Sequence, residues 1–155
     1  MPKIGVISDT HGELDRRVLT YFQGVDHILH AGDIGMPYLI LELEAVAPVT
    51  AVTGNCDSGL AYRPLEKVRL HERTFLVHHQ VEPRAPAEWL ARLLIRDNPD
   101  VVVFGHTHRR YCEQVRTTLF INPGYAGKPR PGQPRSVALL HCDRAGITAE
   151  FLELD

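Results

Sequence analysis

Lys3-Ile4-Gly5-Val6-Ile7-Ser8-Asp9-Thr10-His11-Gly12 is a short apolar run, rich in β-branched residues, that breaks off into a polar tetrapeptide. Such a run reads as a buried strand that delivers Asp9 and His11 into a loop. Leu14 to Phe22 follows with apolar residues at near-helical spacing. The unit then recurs. Asp26 to Leu29 predicts a strand, His30-Ala31-Gly32-Asp33 a loop, and Pro37 to Val46 a helix with proline in its first turn. Val49 to Thr53 predicts a third strand, ending at Gly54-Asn55-Cys56-Asp57. Strands alternating with helices argue for an α/β organisation with a parallel sheet and covering helices.

Beyond Asn55 the pattern changes. Leu65 to Leu70 and Thr74 to His78 read as strands joined by the polar turn His71-Glu72-Arg73, a hairpin signal. Ala87 to Arg96 predicts the last helix, with Trp89, Leu90, Leu93 and Leu94 on one face and a stop near Asn98-Pro99. Val101 to Phe104 is a fully apolar strand that ends at Gly105-His106-Thr107-His108. Tyr111 to Val115, Leu119 to Ile121, Val137 to His141 and Ile147 to Leu154 predict short strands, so the second half is mostly β. Gly127 to Arg135, with three prolines and three basic residues, predicts an exposed loop.

Polar candidates recur at one place in this pattern, just past the carboxyl end of an apolar strand. Asp9 and His11 follow the first strand, Asp33 the second, Asn55 the third, His78 the hairpin, and His106 and His108 the strand from Val101. Ligands of open α/β sheets bind outside the carboxyl ends of strands, so these side chains can converge. Residues two apart on extended backbone share a side, which makes Asp9 with His11, and His106 with His108, local pairs. Taken singly, each has a plainer reading. Asp9 could cap a helix, Gly54-Asn55 is a hairpin-turn dipeptide, and His78 on an apolar strand is more often a satisfied core histidine. Their joint recurrence favours a site. Imidazoles, carboxylates and one amide oxygen suit manganese, iron or zinc better than calcium or a structural zinc. A carboxylate shared by two such ions would set up attack of a metal-bridging hydroxide on phosphorus.

Composition sets outer limits. The 155 residues are about one domain long, and we expect a single domain over 1–155. A net charge of -2 supplies no global basic field, which argues against duplex nucleic acid as the main partner. No apolar run approaches the roughly 20 residues that cross a bilayer, and no signal sequence opens the chain, so a cytoplasmic protein without membrane partners is expected. Cys56, Cys112 and Cys142 are odd in number and widely spaced, which fits reduced thiols.

Ser8-Asp9-Thr10-His11-Gly12, Ala31-Gly32-Asp33, Gly54-Asn55-Cys56-Asp57, Val77-His78, Gly105-His106-Thr107-His108 and Asn122-Pro123-Gly124 stand in the order seen in calcineurin-like metallophosphoesterases. The chain resembles the small single-domain prokaryotic phosphodiesterases, a branch related to the retromer subunit of the same fold. The resemblance implies a four-layer αββα sandwich of two mixed sheets. It implies a metal-dependent hydrolase of small phosphoesters with two divalent ions, manganese first, with nickel, iron, zinc or magnesium as alternatives. It assigns Asp9, His11 and His108 to one ion and Asn55, His78 and His106 to the other, with Asp33 bridging. Asp33, Asn55 and His78 form the expected catalytic set. A non-catalytic scaffold of the same fold is the alternative, and homo-oligomerisation stays open.

Two departures stand beside the metals. Cys56 occupies a position where many relatives carry a histidine thought to protonate the leaving group, which leaves Asp57 or water as substitutes. His78-His79-Gln80 replaces a common His-Gly-His, so His79 reads as a surface residue, a phosphate donor or a group narrowing the pocket. Arg109, Arg110, Lys128, Arg130 and Arg135 are candidate contacts to an outer phosphate, and His30 a hydrogen-bond partner behind the ligands.

Overall fold

The computed structural model describes residues 2–155. Its elements run β1 (Lys3–Ile7), α1 (Arg16–Tyr21), β2 (His27–His30), α2 (Pro37–Glu44), β3 (Val49–Ala51), β4 (Leu65–Leu70), β5 (Arg73–His78), α3 (Glu88–Asp97), β6 (Val101–Val103), β7 (Tyr111–Val115), β8 (Thr118–Asn122), β9 (Ser136–Asp143) and β10 (Gly146–Glu153). Helix α1 is shorter than the apolar spacing predicts because Asp15 caps it, its carboxylate accepting the Arg17 amide at 2.9 Å. Helix α3 stops at Asn98, which takes a left-handed conformation ahead of Pro99.

The strands form two five-stranded mixed sheets, in the orders β10-β9-β1-β2-β3 and β4-β5-β6-β8-β7. In the first, β1, β2 and β3 are parallel, and β9 returns antiparallel against β1. In the second, the β4-β5 hairpin pairs Leu70 with Arg73 across its turn, and β5, β6 and β8 run parallel. The parallel order expected of the first half is therefore present, edged by antiparallel strands from the C-terminal part of the chain.

Strand alternation sorts the apolar residues into three layers of core. Ile4 and Val6 of β1 face the second sheet and pack with Leu29, Phe75, Val77, Val101, Val103 and Ile121. Ile7, one residue on, faces the opposite way and packs with Val18 and Phe22 near α1 and with Leu39 and Leu43 of α2. On the outer side of the second sheet, Leu76, Val102 and Phe120 pack with Leu90 of α3. Helices, sheet, sheet and helix thus stack as the αββα sandwich. Among the described residues, no helix is long and apolar enough to cross a membrane.

The sandwich rests on close approach at β1. Gly5 is bare because the Phe22 ring lies 3.0 Å from where its Cβ would stand. Phe22 is fully buried. Phe22→Ala should lower the unfolding free energy by about 3–5 kcal/mol, read as a lower urea midpoint at an unchanged slope. A loss below about 1 kcal/mol would show instead that helix and sheet collapse onto the gap.

Candidate metal centre

Past the strand ends the backbone ladder between β1 and β2 continues. Asp9 N–H donates to the Gly32 carbonyl at 3.0 Å, His11 N–H to Asp33 at 2.9 Å, and Gly12 N–H to Ile34 at 2.8 Å. The two loops are thereby zipped together and hold both carboxylates at one edge. Five of the candidate residues carry positive φ: Asp9 56°, His11 46°, Asp33 54°, His106 73° and His108 63°. Left-handed backbone at a residue other than glycine costs on the order of 1–3 kcal/mol and persists where the surroundings enforce it. The strain is concentrated where the candidate side chains are aimed.

Asp9 is fully buried and Asp33 nearly so. One oxygen of each is satisfied by the protein: Asp9 Oδ2 accepts from Ser8 Oγ at 2.7 Å and the His106 amide at 3.1 Å, and Asp33 Oδ1 from the Cys56 amide at 2.8 Å. The other oxygens face imidazoles. Asp9 Oδ1 lies 3.3 Å from His108 Nε2 and 3.9 Å from His11 Nε2, while Asp33 Oδ2 lies 3.2 Å from His79 Nε2 and 3.7 Å from His11 Nε2. Asp9 Oδ1, His11 Nε2 and His79 Nε2 are buried without a hydrogen-bond partner. Three orphaned polar atoms pointing at one another are costly unless a cation lies between them. Asp9, His11 and His108, and likewise Asp9, Asp33 and His79, bring donor atoms close enough to share an ion. Orphaned atoms and donor chemistry both fit a divalent metal.

The structure brings His79 into this cluster and places His78, the expected ligand, outside it. Along β5, Phe75 and Val77 face the space between the sheets, so His79 continues that face while His78 falls on the side of Leu76 and α3. His78 Nδ1 bonds the Gln80 carbonyl at 2.9 Å, and its ring stands edge-on to Trp89 with centroids 4.8 Å apart. Burial lowers the His78 pKa. His79 is buried, not on the surface, and its Nδ1–H donates to the Ala31 carbonyl at 2.8 Å, which leaves Nε2 as the free lone pair aimed at Asp33.

Asn55 and His106 form the outer edge, with Asn55 Oδ1 3.1 Å from His106 Nδ1 and the Gln80 amide 3.3 Å from His106 Nε2. On the opposite flank, His108 stacks on buried Tyr125 at 4.6 Å, and the Gln133 amide reaches its Nδ1 at 2.7 Å. Burial lowers the His108 pKa against the pull of Asp9. Gly54 and Gly105 make the convergence possible: a Cβ on Gly54 would stand 2.2 Å from Asp33 Oδ1, and one on Gly105 2.1 Å from Ser8 Oγ.

The surrounding groups mostly have structural duties. The Asp57 carboxylate accepts amides of Ile34, Gly35 and Gly54, which removes it as a free proton donor. Cys56 is exposed, and the neighbouring Asp33 charge raises its pKa, so it stays a thiol. Arg135 is buried against Asp155 and Asp15, Arg110 bonds Ser136, and Arg130 lies over the Tyr125 ring at 5.0 Å. Of the predicted basic loop, Lys128 to Gly132 is exposed, whereas Gly127 and Arg135 are buried.

Nitrogen and oxygen donors thus meet at the carboxyl edge of two stacked mixed sheets. The chain matches the calcineurin-like phosphoesterase superfamily domain over residues 2–145 and belongs to that family. It is 37% identical to a probable metallophosphoesterase of Methanothermobacter thermautotrophicus, over 96% of this chain and 91% of that one. It is 30% identical to the phosphodiesterase YfcE of Escherichia coli K12, over 96% and 92% of the two chains. A structure of Vps29 complexed with Zn2+ from Entamoeba histolytica superposes with a TM-score of 0.76 at 20% identity and covers 99% of each chain, a likeness of fold.

His30 lies behind the carboxylates, fully buried. Its Nδ1 accepts the Gly32 amide at 3.1 Å, so Nε2–H donates to Thr10 Oγ1 at 3.0 Å, and Thr10 in turn donates to the Ile34 carbonyl. Burial pushes its pKa down to about 3. The unfolded chain therefore binds a proton near pH 6.5 that the fold refuses until about pH 3, and stability falls as pH drops through that window by up to about 1.4 kcal/mol per unit. Between pH 6 and 4 the urea midpoint of metal-free wild type should fall more steeply than that of His30→Gln; equal slopes would show that His30 is not held neutral.

Proposed function

We propose that this phosphoesterase is a divalent-metal-dependent phosphodiesterase of small phosphoesters, with manganese the first candidate ion and iron, nickel, zinc and magnesium the others. The observation that carries the reading is the trio of buried, unpartnered atoms Asp9 Oδ1, His11 Nε2 and His79 Nε2. Asp9, His11 and His108 would hold one ion and Asn55, His79 and His106 the other, with Asp33 between them. Ions bound there would supply Lewis acidity to the phosphoryl oxygens and acidify the attacking water.

The chain's own residues do the positioning. The Ala31 carbonyl fixes the tautomer of His79, and Gln80 and Asn55 set the ring of His106. The Tyr125 face holds His108 in register with Asp9. No strong acid stands ready for the departing alkoxide, since Asp57 is bound to three amides and Cys56 remains a weak thiol acid. Esters with good leaving groups should react fastest. A scaffold with the fold of Vps29 is the competing reading, and it leaves the orphaned donor atoms without a purpose.

The test is hydrolysis of bis(4-nitrophenyl) phosphate and 4-nitrophenyl phosphate by metal-free protein reloaded with manganese, iron, nickel, zinc or magnesium. Metal-dependent turnover favouring the diester is expected. Absence of turnover and of stoichiometric binding with every ion would leave only the scaffold. Asp33→Ala should cut turnover by more than about 100-fold and reduce metal content, beyond the usual effect of a partner one bond removed from the metal. His79→Ala should likewise lose metal, while His78→Ala retains it; the reverse order would restore His78 as the ligand.

A further inference from the structure

Trp89, the chain's single tryptophan, leaves 46% of its surface exposed on α3, next to buried Leu90. Its ring is not loose. His78 braces it edge-on at 4.8 Å, and His78 is itself pinned to the Gln80 carbonyl. Beside it lies a cavity of about 260 Å³ lined by Gln80, Val81, Glu82, Trp89, Leu90 and His106, among others. His106 belongs both to this cavity and to the outer edge of the candidate metal centre, and Gln80, which also lines the cavity, reaches its Nε2 at 3.3 Å.

The size of the cavity says what kind of group it takes. Whole small ligands occupy roughly 300–1,000 Å³, so this space accepts one part of a molecule whose remainder lies over the metal ligands. A braced aromatic face with Val81 and Leu90 beside it suits a flat ring. The Glu82 carboxylate and Gln80 amide at the same cavity suit a ring with amino and imino edges, the groups by which carboxylates and amides read nucleobases. The net charge of -2 offers no track for a polynucleotide backbone.

We propose that this cavity is a base-binding subsite, and that the enzyme acts on nucleoside phosphoesters whose base stacks on Trp89 while the phosphoryl group lies at the metal centre. This deepens the phosphodiesterase reading and rests on it. In the reaction, water adds to phosphorus, the bond from phosphorus to one ester oxygen breaks, and the proton passes to the released oxygen.

A single tryptophan makes the subsite its own reporter. Adenosine should quench the fluorescence saturably in metal-free and manganese-loaded protein alike, and ribose 5-phosphate should not. With manganese, kcat/KM for adenosine 5′-(methyl phosphate) should exceed that for ribose 5-(methyl phosphate) by roughly 5- to 100-fold, the range that stacking contributes per base. Trp89→Ala should bring that ratio near one, and Trp89→Phe should keep most of it. Absence of quenching together with a wild-type ratio near one overturns the subsite, even if both diesters are hydrolysed. Saturable quenching by adenosine, without hydrolysis by any metal form, supports the subsite and defeats the phosphodiesterase reading.

Discussion

Two carboxylates, Asp9 and Asp33, are taken almost wholly out of water within reach of the same imidazoles, and the rest of the edge is arranged around that fact. Buried charges of one sign repel each other and are poorly solvated, so the fold must supply donors or leave a place for a cation. It does both. Ser8, His106 and Cys56 each satisfy one carboxylate oxygen through hydroxyl or amide, and the remaining oxygens turn toward ring nitrogens. The left-handed backbone of Asp9, His11, Asp33, His106 and His108 is the conformational cost of that aim. The ladder from Asp9 to Ile34 holds the first three of these residues in place.

Much of this was legible because strand periodicity is a strong signal. Apolar runs ending in polar tripeptides marked every strand that reaches the site, and the ten strands lie within a residue or two of their predicted places. Periodicity also held the information about His79. Phe75 and Val77 are inward, so two more residues lead to His79 and one to His78. A one-residue shift along a strand exchanges an inward group for an outward one.

Other features had no local signature. Nothing in the order of residues says that Asp57 will span three amides of two loops, or that Arg135 will be buried by Asp155 and Asp15. These contacts join segments far apart in the chain, and sequence patterns report mainly on neighbours. The same holds for Tyr125 under His108.

His78 acquires its meaning from α3. A histidine at the end of an apolar strand, with burial lowering its pKa and no charge partner, is better suited to packing than to carrying charge. It fixes an indole that would otherwise be free to rotate on an exposed helix face. His79 and His78 thus divide one dipeptide between two surfaces of the second sheet, the inner one facing Asp9 and Asp33 and the outer one facing Trp89. Gln80 links them, giving its carbonyl to His78 and its amide to His106. A small residue there could supply the carbonyl but not the amide. The tripeptide His78-His79-Gln80 therefore joins the buried cluster around Asp33 to the lining of the adjoining cavity within one turn of chain.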